Sequence, residues 1–302
     1  MRVVITGGTG LIGRALATDL AASGRDVIVL SRSPERATDL PAGVRAVRWD
    51  GRTAQGWGHL VGAAEAVVNL AGENLAAGRW TAARRARIRE SRLHAGAAVV
   101  EAIRAADEKP RLLIQASAVG YYGPRGDEEL AEMAPPGNDF LARLCLEWEA
   151  STAAVEGLGV RRASIRSGLV LSAHGGALPR LLLPFRFFAG GRLGTGRQWY
   201  PWIHLADEVA AIRFLIETED ADGPINLTAP HPVTNAALSA TIGRVLGRPA
   251  MVPTPEFALR LALGDMATVV LDGQRAVPAR LLALGFRFRF TEIEAALRDL
   301  LR

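Results

Sequence analysis

The stretch Val3-Val4-Ile5-Thr6-Gly7-Gly8-Thr9-Gly10-Leu11-Ile12-Gly13 decides how the chain is read. Three β-branched residues predict a strand and the glycines a turn. Ile12, Leu16 and Leu20 recur every four residues as one face of a helix that Gly24 stops. Strand, glycine turn and helix in that order are the context that turns a weak glycine motif into a strong one. Gly7 permits the tight turn, Gly10 lets the backbone approach a pyrophosphate, and Gly13 lets helix and strand pack closely. The helix N-terminus, with its unpaired N–H groups and positive dipole end, then faces the phosphates, and residues Thr6 to Gly13 form the cradle.

Outward from the turn, apolar runs at 27–30, 44–49, 66–70, 111–117 and 160–165 alternate with helical patterns. A long helix is expected from about Thr81 to Asp107, and another, capped by Asn138 or Asp139, runs through Trp148 towards Ala154. Six strands joined by crossover helices predict an α/β, doubly wound fold with a parallel sheet covered on both faces.

The second half changes character. Glycines and prolines break up residues 172–201, which read mostly as loop with a short apolar segment at 181–188. Helices follow at 206–217 and 236–246, with a short strand at 225–227 expected to return to the first-half sheet. Thr291-x-x-Glu294 reads as a capping box opening a last helix that carries Ile293, Leu297, Leu300 and Leu301. The expected division is 1–165 for a cofactor-binding domain and 166–302 for a substrate-side region and C-terminal lobe.

Which dinucleotide binds is read at the end of the second strand, where an NAD enzyme places a carboxylate against the ribose 2′-hydroxyl. The residues there are Leu30-Ser31-Arg32-Ser33, with Arg36 one helical turn on and no acid. Arg32 and Arg36 suit a 2′-phosphate, and Ser31 or Ser33 can donate to it. Each charge-assisted bond contributes about 1.5–3 kcal/mol, so the expected cofactor is NADP(H), preferred tenfold or more.

Composition sets the outer limits. The 302 residues are 49% hydrophobic and 22% charged, as ordinary globular proteins are. The net charge of +5 comes almost wholly from arginine, since Lys109 is the sole lysine. The densest run, Arg79 to Arg92, alternates with Ala, Ile and Glu as a solvated helix face does, which argues against a nucleic-acid partner. Cys145 stands alone, excluding an internal disulfide and a cysteine-built zinc site and fitting a reducing cytoplasm. A strand beginning at Arg2 leaves no room for a signal peptide, and residues 223–243, the longest uncharged stretch, hold Pro224, Pro230 and Pro232. No membrane span is expected. The five histidines show no ligand spacing, so no metal is expected.

Taken together, Thr6 to Gly13, Asp50, Asn69-Leu70-Ala71-Gly72 and Ser117-Ala118-Val119-Gly120-Tyr121-Tyr122-Gly123 resemble an extended short-chain dehydrogenase/reductase. More narrowly, Arg79-Trp80-Thr81, Ser91-Arg92, Gly196-Arg197-Gln198-Trp199, Trp202-Ile203-His204, Asn226 to Pro230 and Gly273-Gln274-Arg275 resemble its atypical branch, the epimerase family. Members of that branch go by the name of sugar-nucleotide epimerases and end in a short C-terminal domain of unknown function. The resemblance implies a Rossmann-like NADP-binding core with a smaller C-terminal α/β lobe. It places Asp50 near the adenine, Asn69, Leu70, Ala71 and Gly72 beside the adenosine half, and Ser117 near the nicotinamide.

The chain departs from the wider superfamily at the proton-transfer pair. Active members carry Tyr-x-x-x-Lys on the helix after the fifth strand, where a spacing of four puts both groups on one face. Lys109 precedes that strand, and the tyrosines are Tyr121, Tyr122 and Tyr200. The corresponding helix offers Leu141 and Cys145, or Phe140 and Leu144 in the next register. Ser117 and Tyr122 are therefore the catalytic candidates, with His204, Arg166 and Glu73 behind them. Each has a plainer reading. Tyr122 can be a pocket wall, His204 a hydrogen-bonded structural residue and Cys145 a small buried apolar one, while Trp80, Trp199 and Trp202 either stack on a substrate ring or fill a hinge. The expected activity is an NADP(H)-binding, epimerase-like oxidoreductase acting on a small substrate, nucleotide-linked or not. The alternative is an NADPH-binding sensor or scaffold that catalyses nothing.

Overall fold

The computed structural model describes residues 1–37 and 39–301. Its centre is a parallel sheet of seven strands: β1 Arg2–Thr6, β2 Asp26–Ser31, β3 Val44–Arg48, β4 Ala66–Asn69, β5 Leu112–Ala118, β6 Arg161–Ser167 and β7 Gly223–Leu227. Across the sheet the order is β7-β6-β5-β4-β1-β2-β3. The order reverses between β1 and β4, which opens a crevice at their C-terminal ends, the place where doubly wound sheets bind ligands. The strand at 225–227 does return to this sheet, with Ile225 opposite Ile165.

Alternation along the strands fills both faces. Val3, Ile5, Val27 and Val29 point to one side, where Leu16 and Leu20 of helix α1 (Leu11–Ala22) and Ile212 and Leu215 of the helix Leu205–Glu217 cover them. Val4, Ile28 and Val67 point to the other, against Val99 and Ile103 of helix α2 (Ala82–Ala105). A third cluster, around Leu178, Phe185, Trp202, Leu238 and Leu297, forms the C-terminal lobe.

Helix ends follow local chemistry. Thr81 Oγ1 accepts the Arg84 N–H at 3.2 Å and opens α2, and Asp139 Oδ1 accepts the Ala142 N–H at 2.7 Å to open helix α3 (Phe140–Ala150). Asp139, not Asn138, is therefore the cap. Two expectations are corrected. The broken stretch 172–201 contains a helix, Leu178–Arg186, in which Pro179 sits in the first turn and Leu178, Leu182 and Phe185 bury one face. The capping box does not form: the last helix is Ile293–Leu300, no side chain caps it, and Glu294 instead pairs with Arg298 at 2.7 Å and Arg244 at 3.0 Å. Two guanidinium groups hold the carboxylate more strongly than one backbone N–H does. No helix of the described residues is long and apolar enough to cross a membrane.

Candidate functional site

A groove of about 360 Å³ lies over the glycine turn, lined by Gly7, Gly10, Leu11, Ile12, Gly13 and Leu70 among others. Gly7 adopts φ +65°, and a Cβ there would lie 2.7 Å from the Leu70 carbonyl oxygen. At Gly13 a Cβ would lie 2.4 Å from the Gly7 carbonyl oxygen and 2.6 Å from Gly8 Cα. Gly10 differs, because its Cβ would meet only the Gly7 carbonyl oxygen, at 3.2 Å. Gly7 and Gly13 serve the packing of the turn, whereas Gly10 leaves open space where a phosphate can approach. No side chain caps α1, so its first N–H groups face that space.

Under the turn runs a buried polar chain. Thr6 Oγ1 donates to Asn69 Oδ1 at 2.6 Å, Asn69 Nδ2 donates to Gln115 Oε1 at 2.8 Å, and the Ala71 N–H donates to Thr6 Oγ1 at 3.2 Å. These bonds tie the ends of β1, β4 and β5 together and hold residues 69–72 against the turn. Of those four residues Leu70 lines the groove, while the Asn69 side chain is committed beneath it. The Gln115 link was not foreseen in the sequence, because an amide inside an apolar strand carries no local signal.

At the end of β2, Ser31 Oγ accepts the Ser33 N–H at 3.2 Å. Arg32 and Arg36 are exposed, and among the described residues neither side chain makes an ion pair. Asp50, in the exposed loop after β3, accepts the Arg52 and Thr53 N–H groups at 2.7 and 2.8 Å, and those bonds hold its carboxyl below the usual range.

Beside the groove opens a cleft of about 580 Å³. Gly168, Leu169 and Ala177 line both, so the two spaces adjoin just beyond β6. The cleft's inner wall is the face of α3 that carries Leu141, Leu144, Cys145 and Trp148, facing Ala118 to Gly120. Both registers considered for the missing pair therefore reach the cleft, and both are apolar. Burial pushes the Cys145 thiol up to about 12, so it stays protonated.

The structure corrects the expectation for Tyr122. Its ring is fully buried, its hydroxyl donates to Asn226 Oδ1 at 2.7 Å and accepts from Arg166 Nη1 at 3.1 Å, and it is not part of the cleft wall. Burial also raises its pKa, and both sides of the hydroxyl are already committed within the fold. Ser117 is nearly buried as well, and its Oγ donates to Glu149 Oε1 at 2.6 Å. Arg166 grips Glu149 with two bonds, at 2.8 and 3.0 Å, and stacks over the Tyr121 ring. Burial works against that guanidinium's charge, yet the Glu149 carboxylate outweighs it and raises the Arg166 pKa. Ser117, Glu149, Arg166, Tyr122 and Asn226 are one network that locks β5, β6 and β7 to α3.

The other candidates divide similarly. His204 Nδ1 accepts the Ala206 N–H at 3.0 Å, caps the helix Leu205–Glu217 and stacks on Phe290, while burial lowers its pKa. Glu73 is held by Arg84 at 2.6 Å. Trp80 and Trp199 line the cleft, whereas Trp202 is fully buried in the C-terminal lobe and donates to the His231 carbonyl.

Sequence reasoning missed two groups that the fold brings to the cleft. Ser167, at the end of β6, lines it, and its Oγ lies 2.6 Å from Oε1 of the fully buried Glu208. Burial pushes the Glu208 carboxyl up to about 8, so it is neutral at pH 7. Arg92 lines the cleft too. Acids in a first helical turn, as Asp207 and Glu208 are, are what the helix dipole favours at a solvated end, so nothing in the sequence marked Glu208 as buried.

The chain's relatives agree with this architecture. Residues 3–228 match the NAD dependent epimerase/dehydratase family and residues 254–300 a domain of unknown function, DUF1731. The chain belongs to that epimerase/dehydratase family, within the group whose members are called epimerase family proteins. Epimerase family protein YfhF of Bacillus subtilis (strain 168) is 39% identical over 305 residues, covering 100% of this chain and 98% of the relative. The chloroplastic epimerase family protein SDR39U1 homolog of Arabidopsis thaliana is 40% identical, covering 100% and 87%. Human epimerase family protein SDR39U1 (isoform 2), solved with NADPH, superposes with a TM-score of 0.91 at 35% identity, covering 99% of each chain.

Proposed function

We propose that the protein is an NADP(H)-dependent oxidoreductase of the epimerase type, with the nucleotide in the groove and a small molecule in the cleft. The observation that carries this reading is the pair of unpaired guanidinium groups, Arg32 and Arg36, at the end of β2, where an NAD-specific protein needs an acid. The NADPH bound to the human relative supports it. In this reading α1 and Gly10 hold the pyrophosphate, Arg32, Arg36 and the serines beside them hold the 2′-phosphate, and Asp50 stands by the adenine.

When bound, the cofactor supplies or accepts a hydride. The chain's own task is then to orient the substrate, exclude water and move one proton. The apolar wall of α3 excludes water. We assign the proton to Ser167 and Glu208, whose Oγ and Oε1 lie 2.6 Å apart: in the reaction Ser167 Oγ passes its hydrogen to an oxygen in the cleft as the neutral Glu208 carboxyl hands one to Ser167. Ser117, proposed from sequence to lie by the nicotinamide, acts in this reading by positioning Glu149 and α3. An NADPH sensor remains the second reading, favoured by the lack of a tyrosine or lysine on α3.

Fluorescence titration with NADPH tests the reading. Wild-type protein should show saturable binding, and Gly10→Val should abolish it without altering the melting temperature by more than a few degrees. Retained binding in that variant overturns the placement of the cofactor. NADPH oxidation in the presence of carbonyl compounds separates the two readings, and Ser167→Ala should lower that rate about 100-fold.

A further inference from the structure

Between Arg84 and Arg92, helix α2 carries five arginines. Arg84 and Arg87 pair with Glu73, Arg85 pairs with Asp265 and Arg89 with Glu147. Arg92 is the exception. It is 7% exposed, makes no ion pair among the described residues, and its Nε has no hydrogen-bond partner. Nη1 donates to the Ile88 carbonyl at 2.9 Å and to the Glu73 carbonyl at 3.2 Å, and the guanidinium lies 4.6 Å over the Trp148 ring. Burial lowers its pKa to about 10, which leaves it a cation at neutral pH.

A buried cation is costly unless an anion meets it, and two carbonyls and an indole face compensate only in part. Glu73, already held by Arg84 and Arg87, adds only its charge at a distance, and the acids of the cleft are elsewhere. Asp265 is held by Arg85, and Asp139 stands at the start of α3, nine residues before Trp148 and roughly 13 Å away at the helical rise. Asp272 lies near Asp139 and feels its charge. The cleft wall around Arg92 is apolar, made by Leu75, Trp80, Leu144, Cys145 and Trp148. Arg92 does not line the groove over the glycine turn, where the N-terminus of α1 meets phosphates.

From this geometry we infer that the cleft takes a small apolar molecule bearing a single anionic group, of carboxylate type, and that Arg92 receives that group. The inference rests on the cleft being the substrate side of the dinucleotide site proposed above. A nucleoside diphosphate would bring two phosphates to a cleft whose other arginines are Arg85, taken by Asp265, and the exposed Arg143, so that its buried wall offers Arg92 alone among aromatic rings. An aryl or alkyl carboxylate matches both the charge and the surface.

The test is calorimetric titration of the NADPH-loaded protein with 3-phenylpropanoate and with its neutral analogue, 3-phenylpropanamide. The carboxylate should bind at least about tenfold more tightly than the amide, as one charge-assisted pair provides. Arg92→Gln should remove that difference, Arg92→Lys should keep part of it, and NADPH affinity should stay the same in all three proteins. Melting temperatures report folding; if Arg92→Gln fails to fold, the wild-type ratio and Arg92→Lys still decide. Equal binding of the two probes by the wild type, or an undiminished preference in Arg92→Gln, overturns the inference. A tenfold loss of NADPH affinity in Arg92→Gln also overturns it, because the anion would then be a cofactor phosphate. Failure of the wild type to bind NADPH strikes the dinucleotide reading instead, and the carboxylate titration repeated on nucleotide-free protein still tests Arg92.

Discussion

The groove and the cleft adjoin at Gly168, but they are made of different material. The groove is built on the backbone of one local run, Gly7 to Gly13, with Leu70 and residues between 168 and 177 beside it, and its chemistry is N–H groups and room. The cleft is side chain, drawn from segments as far apart as Leu75 and Gln274, and the chemistry proposed for it lies in one buried guanidinium and one serine backed by a carboxyl. A site made of backbone is specified by spacing along the chain. A site made of side chains exists only after distant segments have packed. The two should therefore respond oppositely to substitution: the groove to added volume, the cleft to changed charge.

The largest effect is expected in the turn. Gly13→Val places a Cβ against two backbone atoms that cannot yield, so urea unfolding should show a loss of at least about 3 kcal/mol, the upper end for overpacking. The contrast with Gly10→Val, expected to spare stability, is the sharpest internal control. Equal destabilisation by both would break the distinction between a packing glycine and a binding one.

Tyr122→Phe is expected next. It leaves Asn226 and Arg166 short of a buried partner, at a cost of about 1–3 kcal/mol in chemical denaturation, while NADPH affinity stays constant. A loss of turnover with stability intact would return Tyr122 to the active site.

Glu208 gives a pH-dependent test. Its carboxyl titrates near 8 in the fold and near 4.5 once unfolded. Between those values the folded state holds a proton that the unfolded chain has released. Stability should accordingly fall as pH rises, by about 1.4 kcal/mol per unit from this group. Glu208→Gln should flatten that part of the profile, and an unchanged slope would show that Glu208 is ionised in the fold. The smallest effect is reserved for Cys145→Ala, about 1 kcal/mol or less, with turnover unchanged; the native thiol should also resist modification at pH 8.

What the sequence made legible follows the same division. Val3 to Gly13 contained the strand, the turn and the helix in register, and the long helix expected from about Thr81 begins there, because each depends on neighbours within a few residues. Leu178–Arg186 was hidden by its prolines, although Pro179 occupies the one helical turn that tolerates it and Pro184 sits two residues from the end. Tyr122 pointed at the cofactor when only its place after β5 was known; its hydroxyl is in fact claimed by Asn226, 104 residues further on. Arg92 looked like its neighbours in a solvated run. Only the packing of Trp148 against it makes it different.

In the proposed function the end of β2 selects the cofactor by charge. Calorimetric titration of the wild type and of Arg32→Asp with NADPH and NADH tests it most directly. The wild type should bind NADPH at least about tenfold more tightly than NADH, and Arg32→Asp should erase or reverse that order. Equal affinities in the wild type, or an unchanged ratio in the variant, would contradict it.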